Sequence, residues 1–190
     1  MSMVKEWQRV IAILTHPAVL EAAWLSYWSR WDIRWIVASW GLLVGAGGLL
    51  YVWLRQRPRD IQFLLGSNRR FLLLWNFLVL GGFWAATAEP LLRLWVSFFL
   101  WMSLCGFLFH WWREYSFHVY GWSGLMAFFL GYGRSYPLTL LLLFFVSMGV
   151  AVLRYLQGAH QISELLWGAG AGTVFALCFV GIHELSNAAG

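Results

Sequence analysis

The chain alternates long apolar runs with short polar interruptions. A helix needs about 20 apolar residues to cross a bilayer. Six runs approach that length, at about 32–54, 70–88, 92–112, 119–133, 136–156 and 161–184, the fourth being the shortest. The breaks carry turn and charge signals. Arg55-Gln56-Arg57-Pro58-Arg59-Asp60 and Asn68-Arg69-Arg70 separate the first two runs, Glu89-Pro90 the second and third, and Gly133 to Pro137 the fourth and fifth. Gly41, Gly45 and Gly48 in the first run, and Gly168, Gly170 and Gly172 in the last, mark places where helices can approach closely. Residues 4–28 alternate apolar and polar faces, with Trp7, Val10, Ile11, Leu14 and Leu20 among the apolar set. That pattern predicts an interfacial amphipathic helix, interrupted at His16-Pro17. The expected architecture is an all-α integral membrane protein, with an amphipathic segment over 1–30 and a six-helix transmembrane domain over 31–190.

Composition strengthens this reading. The 190 residues are 61% hydrophobic, 19% aromatic and 11% charged, whereas soluble domains carry roughly 25% charged residues. A soluble fold of this size has too much surface to cover with so few polar groups. Of fifteen tryptophans, Trp31, Trp53, Trp111 and Trp112 fall near the ends of apolar runs, where amphipathic rings settle at the headgroup level. Lys5, Glu6 and Arg9 precede a short mixed stretch that does not read as a cleaved signal. Cys105 and Cys178 lie inside apolar runs and read as small packing residues.

The net charge of +5 suits anionic headgroups and topology sorting. No aromatic-interleaved basic groove suggests nucleic acid. Basic residues divide almost evenly between the two faces, and the Arg-rich 55–70 connection is weakly favoured as cytoplasmic. The expected location is an integral membrane one, with a bacterial inner membrane as the first choice and the side of the site undecided.

Polar residues that lipid should exclude are the informative ones in such a chain. Here they gather at run ends: His110, Arg113, Glu114, His118, Ser123, Arg154, His160 and Glu164. With six runs alternating in direction, all eight fall on one side of the membrane. His160 and Glu164 are four apart and share a helix face. A carboxylate on one imidazole nitrogen fixes the tautomer and leaves the other nitrogen as nucleophile or base. Arg154 offers a planar, permanently charged fork for phosphate oxygens.

Arg154, five residues, His160, three residues and Glu164 resembles the third motif of the phosphatidic acid phosphatase type 2 superfamily. That motif reads Ser-Arg, five residues, His, three residues, Asp; here Leu153 stands for the Ser and Glu164 for the Asp. Its second motif, Pro-Ser-Gly-His, is matched in part by Trp122-Ser123-Gly124-Leu125, without the proline and the histidine. Its first motif, Lys, six residues, Arg-Pro, is represented only by Arg113-Glu114, with Gly106 at the lysine position. Arg57-Pro58 has Leu50 at that position and reads as coincidence.

The resemblance implies a six-helix lipid phosphatase fold without metal or cofactor. His160 would be the phosphorylated nucleophile and Glu164 its orienter. Arg154, Arg113, Ser123 and Gly124 would contact the phosphate, and His118 would stand in for the missing acid. The implied partner is a membrane lipid bearing a phosphate or diphosphate. The competing expectation is a catalytically silent member serving a larger membrane complex. A b-type cytochrome ranks below both, because haem needs facing axial histidines and only His110 and His160 suggest a pair.

Overall fold

The computed structural model describes residues 14, 16–28, 32–49, 68–132 and 137–188. The basic 55–60 connection, Trp7, Val10, Ile11 and Arg134 lie outside the described residues. All regular structure among the described residues is helical: α1 Pro17–Trp28, α2 Ile33–Ser39 continuing through a π-helical stretch Trp40–Ala46, α3 Asn68–Ala86, α4 Pro90–His110, α5 Phe117–Gly131, α6 Pro137–Leu156 and α7 Ile162–Ala188. Each of the six apolar runs thus contains a helix.

Three of them, α4, α6 and α7, are long and apolar enough to cross a membrane. The apolar stretches of α2 and α3, Arg34–Leu49 and Leu72–Ala86, are shorter. The surface agrees with a lipid solvent. Only 17% of the apolar window of α6 is buried, and Leu138, Leu142, Phe145, Met148 and Val152 are exposed along it. Water would not tolerate so long an unpartnered apolar face. This is an all-helical membrane protein.

Local sequence chemistry explains the helix boundaries. Pro17 occupies the first position of α1, where its missing N–H removes no helical bond. Asp32 caps α2 by accepting the Arg34 N–H at 2.9 Å. Glu89 does the same for α4, its Oε2 accepting the Leu92 N–H at 2.8 Å. At the other end of α6, Gly158 adopts φ 64°. Its N–H reaches the Tyr155 carbonyl at 2.8 Å, and the Ala159 N–H reaches the Arg154 carbonyl at 3.2 Å. That pair of bonds is a Schellman motif, which glycine closes without Cβ strain.

The chain forms two compact units. The one over residues 18–108 has an aromatic core in which Trp24 stacks on Trp95 at 5.1 Å and Trp35 lies 5.6 Å from Phe83. Several of its polar groups bond within the fold. Trp40 donates to Ser26 Oγ at 3.0 Å, and Trp75 donates to the Leu42 carbonyl of the π-helical stretch at 3.1 Å. Glu21 of α1 is buried and accepts a bond from Asn76 Nδ2 of α3 at 3.1 Å. Burial pushes the Glu21 carboxyl up to about 8, so it is held protonated at neutral pH.

The other unit comprises residues 1–17 with 109–190, and it contains every site residue singled out above. Helix α5 is its core, with His118, Val119, Tyr120, Ser123, Gly124, Leu125, Ala127 and Phe128 all buried. At 15 residues it is about 22 Å long, and neighbouring helices cover most of it, leaving Leu130 exposed near its end. Gly168 and Gly172 lie one turn apart on the face of α7 that meets α5. A Cβ on Gly168 would stand 2.7 Å from the Ser116 carbonyl oxygen. One on Gly172 would overlap the Tyr120 carbonyl and Ser123 Oγ. The small-residue run therefore sets how near these helices come.

Candidate functional site

The site begins with the hinge between α6 and α7. The left-handed Gly158 turns the chain out of α6, so that His160 follows within the connection and Glu164 falls in the first turn of α7. Glu164 then serves two groups with one oxygen. Its Oε2 accepts the Gln161 N–H at 3.2 Å, the return bond of a capping box. It also meets His160 Nδ1 at 2.7 Å. The imidazole is buried, with 3% of its side chain exposed, against 21% for Glu164. A carboxylate at Nδ1 holds the proton there and leaves the Nε2 lone pair for a nucleophilic or basic role. The start of α7 also favours the negative charge of Glu164 through the exposed N–H groups of its first turn.

Backbone bonding ties this hinge to α5. The Ser116 N–H donates to the Glu164 carbonyl at 3.1 Å, which anchors the start of α5 two residues before His118. His118 is buried, and its ring meets that of His16 edge to face, with centroids 5.4 Å apart and planes at 89°. Arg154, in the last turn of α6, donates from Nη1 to Gln157 Oε1 at 2.9 Å. Its charge also reaches His16. Burial first, and Arg154 second, push the His16 imidazole down to about 4. One end of this unit thus gathers His16, His118, Arg154, His160 and Glu164.

His16 is the member that sequence reasoning missed. In the sequence it marks only the interruption of an amphipathic helix. No local pattern points to it, because its contact with His118 joins segments far apart along the chain.

The other candidates occupy different surroundings. Arg113 is exposed and lies over the Trp167 ring, its Cζ 5.7 Å from the centroid. Trp167 is three residues along α7 from Glu164, so the cation marks the outer margin of the same end. Glu114 is exposed. His110 is buried against Tyr115 and Phe117, with ring centroids 5.6 and 5.4 Å away. Ser123 donates to the Tyr120 carbonyl at 3.2 Å and faces the Gly168 carbonyl at 3.5 Å. With Gly124 it is buried on α5. Ser123 sits at the seam with α7, at the level of Gly168 and Gly172. Leu125, which follows Ser123-Gly124, is 1% exposed. His183 stacks on Phe179 at 6.1 Å near the far end of α7. No group of three or more metal-ligating side chains occurs among the described residues.

Compared with known proteins, the chain matches no family model, no curated protein and no solved structure.

Proposed function

We propose that this protein is a membrane phosphatase that removes phosphate from a lipid phosphate or lipid diphosphate through a phosphohistidine on His160. The observation that carries the reading is the buried His160–Glu164 pair, 2.7 Å apart, at the same end of one unit as Arg154 and two further histidines. His160 Nε2 attacks phosphorus while the bond to the leaving oxygen breaks, and that oxygen takes up a proton. Water then attacks the phosphohistidine, inorganic phosphate leaves, and the Nε2 lone pair is restored. Glu164 keeps the imidazole oriented and stabilises the positive charge that forms on it. Arg154 supplies fixed positive charge for the phosphoryl oxygens in a site poor in water, where such charge acts most strongly. No metal is required for this step.

A lipid substrate suits the open apolar groove lined by Met126, Leu130, Leu141, Phe144 and Thr173. Met126 lies eight residues beyond His118 on α5, about 12 Å along the helix. A headgroup at the polar cluster can therefore send its chain into apolar surroundings. The accompanying topology is six spans, with α2, α3 and α5 crossing within the shelter of neighbours and α4, α6 and α7 crossing at full length.

A second reading is favoured by the substituted motif positions. Gly106 in place of a phosphate-binding lysine and Leu125 in place of an acid suit a catalytically silent member of a larger membrane complex. Phosphate release by the purified protein in detergent separates the two. The substrates to test are phosphatidic acid, phosphatidylglycerol phosphate and an isoprenyl diphosphate. We expect release that His160→Ala abolishes with expression intact. Glu164→Gln should lower it roughly 10²–10⁴-fold, the range seen when a histidine loses its orienting or proton-transfer partner. No release from any of the three substrates supports the silent subunit instead.

A further inference from the structure

We propose that His16 belongs to the reaction centre and forms, together with His118, the two-ring proton donor for the leaving oxygen. This inference rests on the phosphatase reading and assigns a role that the reading leaves half filled. The resembled family draws its acid from a histidine after Ser-Gly, and here Leu125 puts a buried alkyl chain at that position. His118 alone lies on the same helix, seven residues earlier, about 10 Å along its axis. The structure brings a second imidazole onto it from outside the helix, edge to face at 5.4 Å.

The arrangement explains when the pair would carry a proton. The charged group acting on His16 is Arg154, and its cation disfavours a second positive charge beside it. His16 is then neutral while the site holds no anion. A phosphoryl group seated on Arg154 cancels that repulsion and adds negative charge of its own, which favours protonation of a nearby imidazole. The positive edge of one ring then faces the π cloud of the other, the favoured sense for a T-shaped pair. Two protons on the pair would repel, so it carries one. As His160 Nε2 bonds to phosphorus and the bond to the leaving oxygen breaks, this proton moves to that oxygen and the pair becomes neutral. In the second step the pair takes a proton from the attacking water. Protons balance over the cycle, and substrate binding itself arms the donor.

The test compares a poor leaving group with a good one. Full-length protein in detergent is assayed with phosphatidic acid, whose alkoxide needs a proton, and with p-nitrophenyl phosphate, whose phenolate does not. His16→Gln should slow phosphatidic acid turnover roughly 10²–10⁴-fold and p-nitrophenyl phosphate turnover far less. His118→Gln should show the same split. The double variant should be no slower than either single one, because two parts of one donor are lost only once. Equal loss on both substrates would mean that His16 only supports the fold, and it overturns the proposal. Losses that multiply in the double variant overturn the shared donor. If wild-type turnover requires His160 but survives His16→Gln on both substrates, the phosphatase reading stands and the donor assignment fails. No turnover by the wild type on either substrate removes the phosphatase reading and this inference with it.

Discussion

Replacing Gly168 with alanine tests the contact on which the site is built. The added Cβ would stand 2.7 Å from the Ser116 carbonyl oxygen and 3.4 Å from the Ser116 and Tyr120 nitrogens. Carbon–oxygen contacts of this kind settle at about 3.3–3.6 Å, so the overlap is roughly 0.7 Å. All three neighbours are backbone atoms, which cannot swing away as a side chain can. The start of α5 must move instead. Overpacking of this sort costs about 1–3 kcal/mol, against which alanine's better helix propensity returns roughly 1 kcal/mol. Gly170, two residues on, provides the control, since a Cβ there meets nothing within 4 Å. Gly170→Ala should gain about 0.5–1 kcal/mol from propensity alone. A domain of this size shifts its melting temperature by about 2–4 °C per kcal/mol. Thermal unfolding in detergent, followed by circular dichroism, should therefore place Gly168→Ala below wild type, by up to several degrees, and Gly170→Ala slightly above it. The Gly168 variant should also lose activity, because the Ser116 N–H bond to the Glu164 carbonyl lies at the same contact. Identical melting of the two variants would refute the close approach of α5 and α7.

Gly158→Ala forces a Cβ into the left-handed region at φ 64°, so stability should fall by about 1–2 kcal/mol; Gly158→Asn should lose less, and equal losses in the same melt would show that the turn is not left-handed. Glu21 titrates at about 8 when folded against 4.5 unfolded. The folded state then binds the extra proton, and stability from this group is full below pH 4.5 and lost as pH rises to 8. Glu21→Gln, uncharged and still able to accept from Asn76, should therefore melt higher than wild type above about pH 7 and converge with it near pH 4. His16 has the opposite sign, at about 4 folded against 6.5 unfolded. Its neutral form supports folding above pH 6.5, and that support is lost as pH falls towards 4, so His16→Gln should flatten the melting temperature across that window. A wild-type curve with the same slope as the variant between pH 4 and 6.5 would contradict the burial of His16 beside Arg154.

Much of this protein is determined locally. Apolar runs bounded by Pro17, Asp32, Glu89-Pro90, Pro137 and Gly158 yield the helices near their predicted places, because caps and breakers act over a few residues. Lipid as solvent follows from composition alone. The His160–Glu164 pair was legible, but not its cause: the spacing reads as one helix face, whereas His160 lies in the connection before α7 and reaches back to Glu164 of its first turn. Crossing length was only partly legible. Six apolar runs were visible, yet α5 is 15 residues long and largely buried, and whether a short apolar helix faces lipid or protein depends on its neighbours.

Tertiary structure decided the rest. Ser123 and Gly124 carry a family-like pair of letters, but packing placed Ser123 at the seam where α5 meets Gly168 and Gly172. Arg113 was drawn outward over Trp167. His16, more than a hundred residues before its partners, was brought onto His118 and into the field of Arg154. Spacing along a chain encodes neighbours within a helical turn or two. Contacts between distant segments depend on how whole helices pack, and that is settled by the summed fit of many side chains, not by any local pattern.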